Sequence, residues 1–234
     1  MGVELHSYDD EARLAANLAD LIAKRLSQGI AMTGAASLVC SGGTTPGPVY
    51  RELSGHDLDW DRVWVTGSDE RWLPPEDPGS IDHLLHDTLL QGAAAAARFV
   101  PLKTEEAYPQ DAEAHVHAHL RDMPRPFDVT LLGMGADGHT ASLFPHAEGL
   151  AKALDVSEPA LARAIQAPTS VTSPARMSLT LRALLDSRLI VLLFRGHDKL
   201  EVFETAKLAE DALAVPVSAV LRQGQVPVEV FWAP

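Results

Sequence analysis

Four short, largely apolar stretches of this chain show no polar–apolar alternation, and each runs into a turn or loop. They are Ser37-Leu38-Val39-Cys40, Val63-Trp64-Val65-Thr66, Phe127-Asp128-Val129-Thr130-Leu131-Leu132 and Leu189-Ile190-Val191-Leu192-Leu193-Phe194. A strand wetted on one face alternates polar with apolar residues, so strands without alternation are covered on both faces. A glycine turn and a helix starting near Pro48 follow the first stretch; a Pro-rich loop and a helix around Ile81–Leu90 follow the second. Another glycine turn follows the third, and Gly196 with a helix through Lys207 follows the fourth. This order predicts an α/β fold: a single-domain, mostly parallel, Rossmann-like sheet with helices on both faces, spanning residues 1–234. A first helix is predicted after the capping residues Ser7, Asp9 and Asp10, with Leu14, Leu18, Leu21, Ile22 and Leu26 on one face and Gly29 as its stop. The Ala93–Ala97 tract reads as a helix end or loop.

The 234 residues are 46% hydrophobic and carry a formal net charge of −13, so the chain can bury a sizeable core but repels nucleic acid and anionic membrane. Cys40 is the single cysteine, so no intrachain disulfide forms and a reducing compartment is expected. The opening residues Met1 to His6 lack the basic and apolar regions of a signal peptide. No window approaches the roughly 18 apolar residues needed to cross a bilayer. These features predict a soluble, cytoplasmic protein with no nucleic-acid or membrane partner; a monomer or weak homodimer is the expectation for its assembly, which none of these features determines.

Ligands of parallel sheets sit at the loops leaving the carboxyl ends of the strands, and the unusual local sequences lie there. Ser41-Gly42-Gly43-Thr44-Thr45-Pro46 offers exposed backbone amides, hydroxyls and a helix start capped by Thr44 or Thr45, a combination suited to phosphate. Gly67-Ser68-Asp69-Glu70-Arg71-Trp72-Leu73-Pro74 sets two carboxylates and a guanidinium directly after a strand, and the Arg71 fork suits a phosphate or an oxyanion.

Gly133-Met134-Gly135-Ala136-Asp137-Gly138 matches the dinucleotide pattern G-x-G-x-x-G, but Pro145 follows too soon for the crossover helix which that reading needs. What remains is a glycine loop delivering His139 to the start of a short helix. The helix end disfavours imidazolium and Asp137 favours it; an unperturbed imidazole titrates near pH 6.5, so it is available as a base at neutral pH. Arg176 and Lys199 are further cations near strand ends, and an anion-binding protein of this charge needs such local cations.

Other candidates are weaker. His115, His117 and His119 do not share one helix face, so no metal is predicted. Cys40 reads as a small buried residue, and no G-x-S-x-G serine elbow occurs.

Taken in order, Ser41–Pro46, Asp69–Pro74, Gly133–Pro145, Arg176–Thr180 and Gly196–Lys199 resemble the 6-phosphogluconolactonases over nearly the whole chain, most specifically in Asp137-Gly138-His139-Thr140-Ala141-Ser142-Leu143-Phe144-Pro145. The resemblance implies the α/β domain shared with glucosamine-6-phosphate deaminases and hydrolysis of 6-phospho-D-glucono-1,5-lactone, a phosphosugar lactone, without metal or organic cofactor. His139 is then the expected general base for water attack. Arg71, glycine-loop amides, or both would stabilise the oxyanion. Gly42, Gly43, Thr44, Thr45, Arg176 and Lys199 would hold the phosphate, and Asp69 or Asp137 would orient His139 or bind sugar hydroxyls. One departure stands out: Ser80-Ile81-Asp82 replaces the Ser-Asn usual in that family. Two further readings are a hexosamine-phosphate isomerase or deaminase with Asp69 as base, and a non-enzymatic sugar-phosphate sensor.

Overall fold

The computed structural model describes residues 2–168 and 173–234; Met1 and residues 169–172 lie outside that description. In chain order the elements are β1 (Val3–Ser7), α1 (Glu11–Thr33), β2 (Ala36–Cys40), α2 (Gly47–Ser54), β3 (Val63–Gly67), β4 (Asp69–Arg71), α3 (Ile81–Thr88), β5 (Arg98–Val100) and α4 (Pro109–Arg121). There follow β6 (Val129–Gly133), α5 (Leu150–Leu154), β7 (Ala162–Gln166), β8 (Ala175–Leu179), α6 (Leu181–Leu185), β9 (Ile190–Arg195), α7 (His197–Ala206), α8 (Val217–Leu221) and β10 (Val228–Ala233).

The four apolar stretches become β2, β3, β6 and β9 of a seven-stranded sheet in the order β1-β10-β9-β6-β2-β3-β5. Every pairing in it is parallel, as the unalternating sequences predict. Successive residues of a strand face opposite sides, and two separate cores result. Leu38, Cys40, Leu131 and Leu193 pack with α1, α2 and α3, while Val39, Leu132, Leu192 and Phe194 pack with α4, α7 and α8.

A second, three-stranded antiparallel sheet, β4-β8-β7, was not foreshadowed by any sequence pattern. Strand β4 is three residues long, too short for a period to show. Among the described residues no helix is long and apolar enough to cross a membrane.

Three local expectations are corrected. Gly29 does not stop the first helix: α1 continues to Thr33 and ends on Gly34 in the left-handed region, at φ 86°. Gly29 is buried instead where α1 crosses Asp128, and a Cβ there would stand 2.5 Å from Asp128 Oδ1. Thr44 and Thr45 do not cap α2; Pro46 occupies the cap position without a side-chain hydrogen bond. No helix begins at His139 either, because Ala141 and His146 adopt left-handed backbone (φ 49° and 54°) and the next helix is α5. The helix-end effect invoked for His139 is therefore absent. At the start of α1 the expectation holds: Asp10 Oδ1 accepts the Arg13 N–H at 2.8 Å.

Alanine at position 29 offers a test of close approach against helix propensity. Propensity alone favours Gly29→Ala by about 1 kcal/mol, whereas overpacking against Asp128 costs about 1–3 kcal/mol. Denaturant unfolding is expected to show net destabilisation; a stabilised variant would remove the steric explanation.

Candidate functional site

The sheet grows from β2 toward β3 and β5 in one direction, and from β6 toward β9 and β10 in the other. The turn after β2 and the loop after β6 therefore diverge around a crevice at the carboxyl ends of these strands, the expected ligand position in open parallel sheets. A cavity of about 370 Å³ lies there. It brings together Gly42, Gly43, Thr44, Thr45, Asp69, Arg71, His139, Arg176 and Lys199. Of the anticipated residues, Asp137 alone stands outside the lining, behind the imidazole.

Tyr50, in α2, holds the first turn from below: its hydroxyl donates to the Ser41 carbonyl at 2.7 Å. Gly43 has φ 91°, a conformation open to glycine at little cost. Gly42 is needed for space, since a Cβ there would come within 2.6 Å of Ile81 Cδ1.

The small antiparallel sheet supplies the opposite wall. Asp69 and Arg71 share one face of β4, and Arg71 is in register with Arg176 of β8. Asp69 is almost fully buried; its Oδ1 accepts the Ser68 hydroxyl at 2.8 Å and its Oδ2 the Ser142 hydroxyl at 2.5 Å. The second bond ties β4 to the histidine loop. The Arg71 guanidinium donates to the Gly79 carbonyl. Arg176 donates from Nε to the Ser173 carbonyl at 2.7 Å and lies 5.7 Å over the Phe144 ring. Burial lowers the Arg176 pKa, with Asp69 opposing and Arg71 reinforcing that shift. Burial likewise lowers that of Lys199, in the first turn of α7, while Asp137 opposes it.

His139 Nδ1 lies 2.5 Å from Asp137 Oδ1, which also accepts the His139 backbone N–H at 3.1 Å. An ionised carboxylate only accepts, so Nδ1 carries the proton and Nε2 is the nitrogen available to a ligand. The burial of Asp137 works against its charge, but the hydrogen bond and charge of His139 outweigh it and hold the carboxyl below its usual range. The imidazole is packed 4.2 Å from the Phe144 ring, centre to centre. Gly135 makes room for the pair: a Cβ there would fall 2.1 Å from His139 Nδ1 and 2.6 Å from Asp137 Oδ1.

Sequence reading overlooked Glu70, Ser142 and the packing roles of Ile81 and Phe144. Glu70 sits on the face of β4 opposite Asp69 and Arg71 and is buried among four donors. Burial still pushes its carboxyl up. The one signal for it was position: in a strand the middle of three residues faces away from its neighbours. The helix histidines do not converge; His115 Nδ1 pairs with Glu106, and His117 Nδ1 accepts the Leu161 N–H at 3.1 Å. Cys40 is buried, as expected, and burial raises its thiol pKa far above the usual range.

The family model described as glucosamine-6-phosphate isomerases/6-phosphogluconolactonase matches residues 9–232. The chain belongs to this family. Within it, the chain is 43% identical to the 6-phosphogluconolactonase of Mesorhizobium japonicum over 98% of its own length and 94% of that relative. It is 39% identical to the 6-phosphogluconolactonase of Rhizobium meliloti over the full length of both. The crystal structure of a 6-phosphogluconolactonase from Shewanella baltica superposes with a TM-score of 0.95 at 38% identity, covering 99% of this chain and 98% of that one. The family's mostly parallel α/β architecture is the one seen here.

Substituting Gly135 by alanine is expected to drive the imidazole off Asp137 while the distant core stays intact. Long-range ¹H–¹⁵N NMR of the histidine ring nitrogens reads the pair directly; an unchanged Nδ1 signal in Gly135→Ala would refute the steric role.

Proposed function

We propose that this protein hydrolyses 6-phospho-D-glucono-1,5-lactone to 6-phosphogluconate, the lactonase activity in its relatives' names and a step of the oxidative pentose phosphate pathway. The observation that carries the reading is the meeting, in one cavity, of a carboxylate-oriented histidine with Arg71, Arg176 and Lys199. Asp137 keeps the proton on Nδ1, leaving Nε2 to accept a proton from water as the oxygen attacks C1. Negative charge moves onto the carbonyl oxygen, where Arg71, backbone amides of the glycine loop, or both stabilise it. Collapse breaks the bond between C1 and the ring oxygen, and the imidazolium returns its proton to that oxygen. The step balances with water as the only co-reactant.

The Gly42–Thr45 turn, Lys199 and Arg176 hold the remote phosphate and so fix the ring for attack. Asp69 acts as a brace. Both its oxygens already accept serine hydroxyls, which argues against the isomerase reading that makes it a proton-abstracting base. A binding module would have no use for a histidine oriented in this way. A single domain over residues 1–234, a cytoplasmic setting with Cys40 reduced, and a monomeric or weakly dimeric state belong to the same proposal.

Lactone opening, followed above its spontaneous rate, tests the assignment. His139→Ala is expected to lower kcat by about 10²–10⁴-fold with little change in KM; retention of turnover would take the base role away from His139. Lys199→Ala is expected chiefly to raise KM, and an unaltered KM for the phosphorylated lactone would sink the phosphate grip.

A further inference from the structure

Strand alternation sends Asp69 and Arg71 into the cavity and Glu70 the other way, onto the first turn of α3. There Glu70, 3% exposed, is fully engaged. Its Oε1 accepts the backbone N–H of Arg71 at 2.7 Å and of Ile81 at 2.9 Å. Its Oε2 accepts the Ser80 hydroxyl at 3.0 Å and the Asp82 N–H at 2.8 Å. The first N–H groups of a helix have no partner within it and attract negative charge. Ser80, the formal cap, reaches only the His83 N–H at 3.4 Å, so Glu70 is the principal acceptor at this helix start.

Two parts of the cavity hang from that one carboxylate. On one side it holds the backbone of Arg71, whose guanidinium donates to Gly79 on the same connection. On the other it fixes Ile81, whose Cδ1 occupies the space that a side chain on Gly42 would need and whose Cγ2 would lie 3.6 Å from a Cβ on Gly67. Ile81 thus wedges the glycine turn from behind, a job that its apolar side chain does by shape alone.

We propose that Glu70 is a positioning residue whose carboxylate, through Arg71 on one side and the Ile81 wedge on the other, sets the spacing between Arg71 and the Gly42–Thr45 turn. The inference rests on the reading that the turn grips the phosphate and Arg71 meets the carbonyl oxygen of the same substrate. It assigns Glu70 no contact with the reacting atoms. His139 sits on a different loop and keeps its own geometry, so loss of the clasp raises KM through the turn and lowers kcat only through Arg71.

Steady-state lactone hydrolysis by Glu70→Gln, Glu70→Ala and Ile81→Ala, each measured below its own melting temperature, tests this. Glu70→Ala is expected to raise KM on the order of ten- to a hundredfold, with a smaller fall in kcat. Glu70→Gln keeps one oxygen for the Arg71 and Ile81 N–H groups, so its KM is expected between that of Glu70→Ala and the native enzyme. Ile81→Ala, which leaves the cap intact and so guards against a Glu70→Ala protein that fails to fold, is expected to raise KM too. Its effect is expected to be less than additive with Glu70→Gln in the double variant. Lowered melting temperatures with KM and kcat unchanged in Glu70→Gln and Ile81→Ala would mean that Glu70 only stabilises the fold, which overturns the proposal. Arg71→Ala and Lys199→Ala separate the two failures. If Arg71→Ala leaves kcat unchanged and Lys199→Ala leaves KM unchanged, the underlying reading of the site falls; if Arg71→Ala lowers kcat and Lys199→Ala raises KM while the Glu70 and Ile81 variants change neither, the positioning role alone falls.

Discussion

Between β2 and β6 the order of the main sheet reverses, and the connections from these neighbouring strands depart to opposite faces. The turn after β2 enters α2, which packs with α1 and α3, while the loop after β6 leads toward α5 and the small sheet on the other side. Two neighbouring parallel strands whose chains part in this way leave a gap at their carboxyl ends that no side chain of either core fills. The cavity is the result of that divergence. The glycine turn and the histidine loop face each other because they are its two lips.

The small antiparallel sheet closes the gap and introduces charge into it. Placing Arg71 in register with Arg176 sets two guanidinium groups side by side, which is unfavourable for a cross-strand pair. Asp69 and Glu70 offset part of this repulsion, and both act on Arg176 through their charges. In a chain of net charge −13, so local a concentration of cations suits the cavity to an anion while the outer surface repels one. The buried carboxylates are tolerated because each is met by donors: two serine hydroxyls for Asp69, and three backbone N–H groups with one hydroxyl for Glu70.

Much of this is legible in the sequence. β2, β3, β6 and β9 declared themselves through apolar runs without alternation, and residues of the turns and loops after them line the cavity. The errors came where one residue type serves two purposes. Gly29 resembles a helix stop but answers to the carboxylate of Asp128, just ahead of β6 and far away in the chain. Thr44 and Thr45 have the chemistry of caps, yet the backbone enters α2 through Pro46 and leaves both residues lining the cavity. His139 lies ahead of a stretch that could have been helical, but left-handed residues at Ala141 and His146 break it.

The sequence by itself determined the layers, the polarity of the sheet and the chemistry of each loop, because burial pattern, turn residues and side-chain type are local properties. Tertiary structure decided which of those loops meet. The pairing of Asp69 with Ser142, of Arg71 with Arg176 and of Glu70 with the start of α3 depends on strand order and on a three-residue antiparallel ladder. Contacts of that kind join distant segments through hydrogen bonds and steric fit, and neither leaves a periodic trace along the chain.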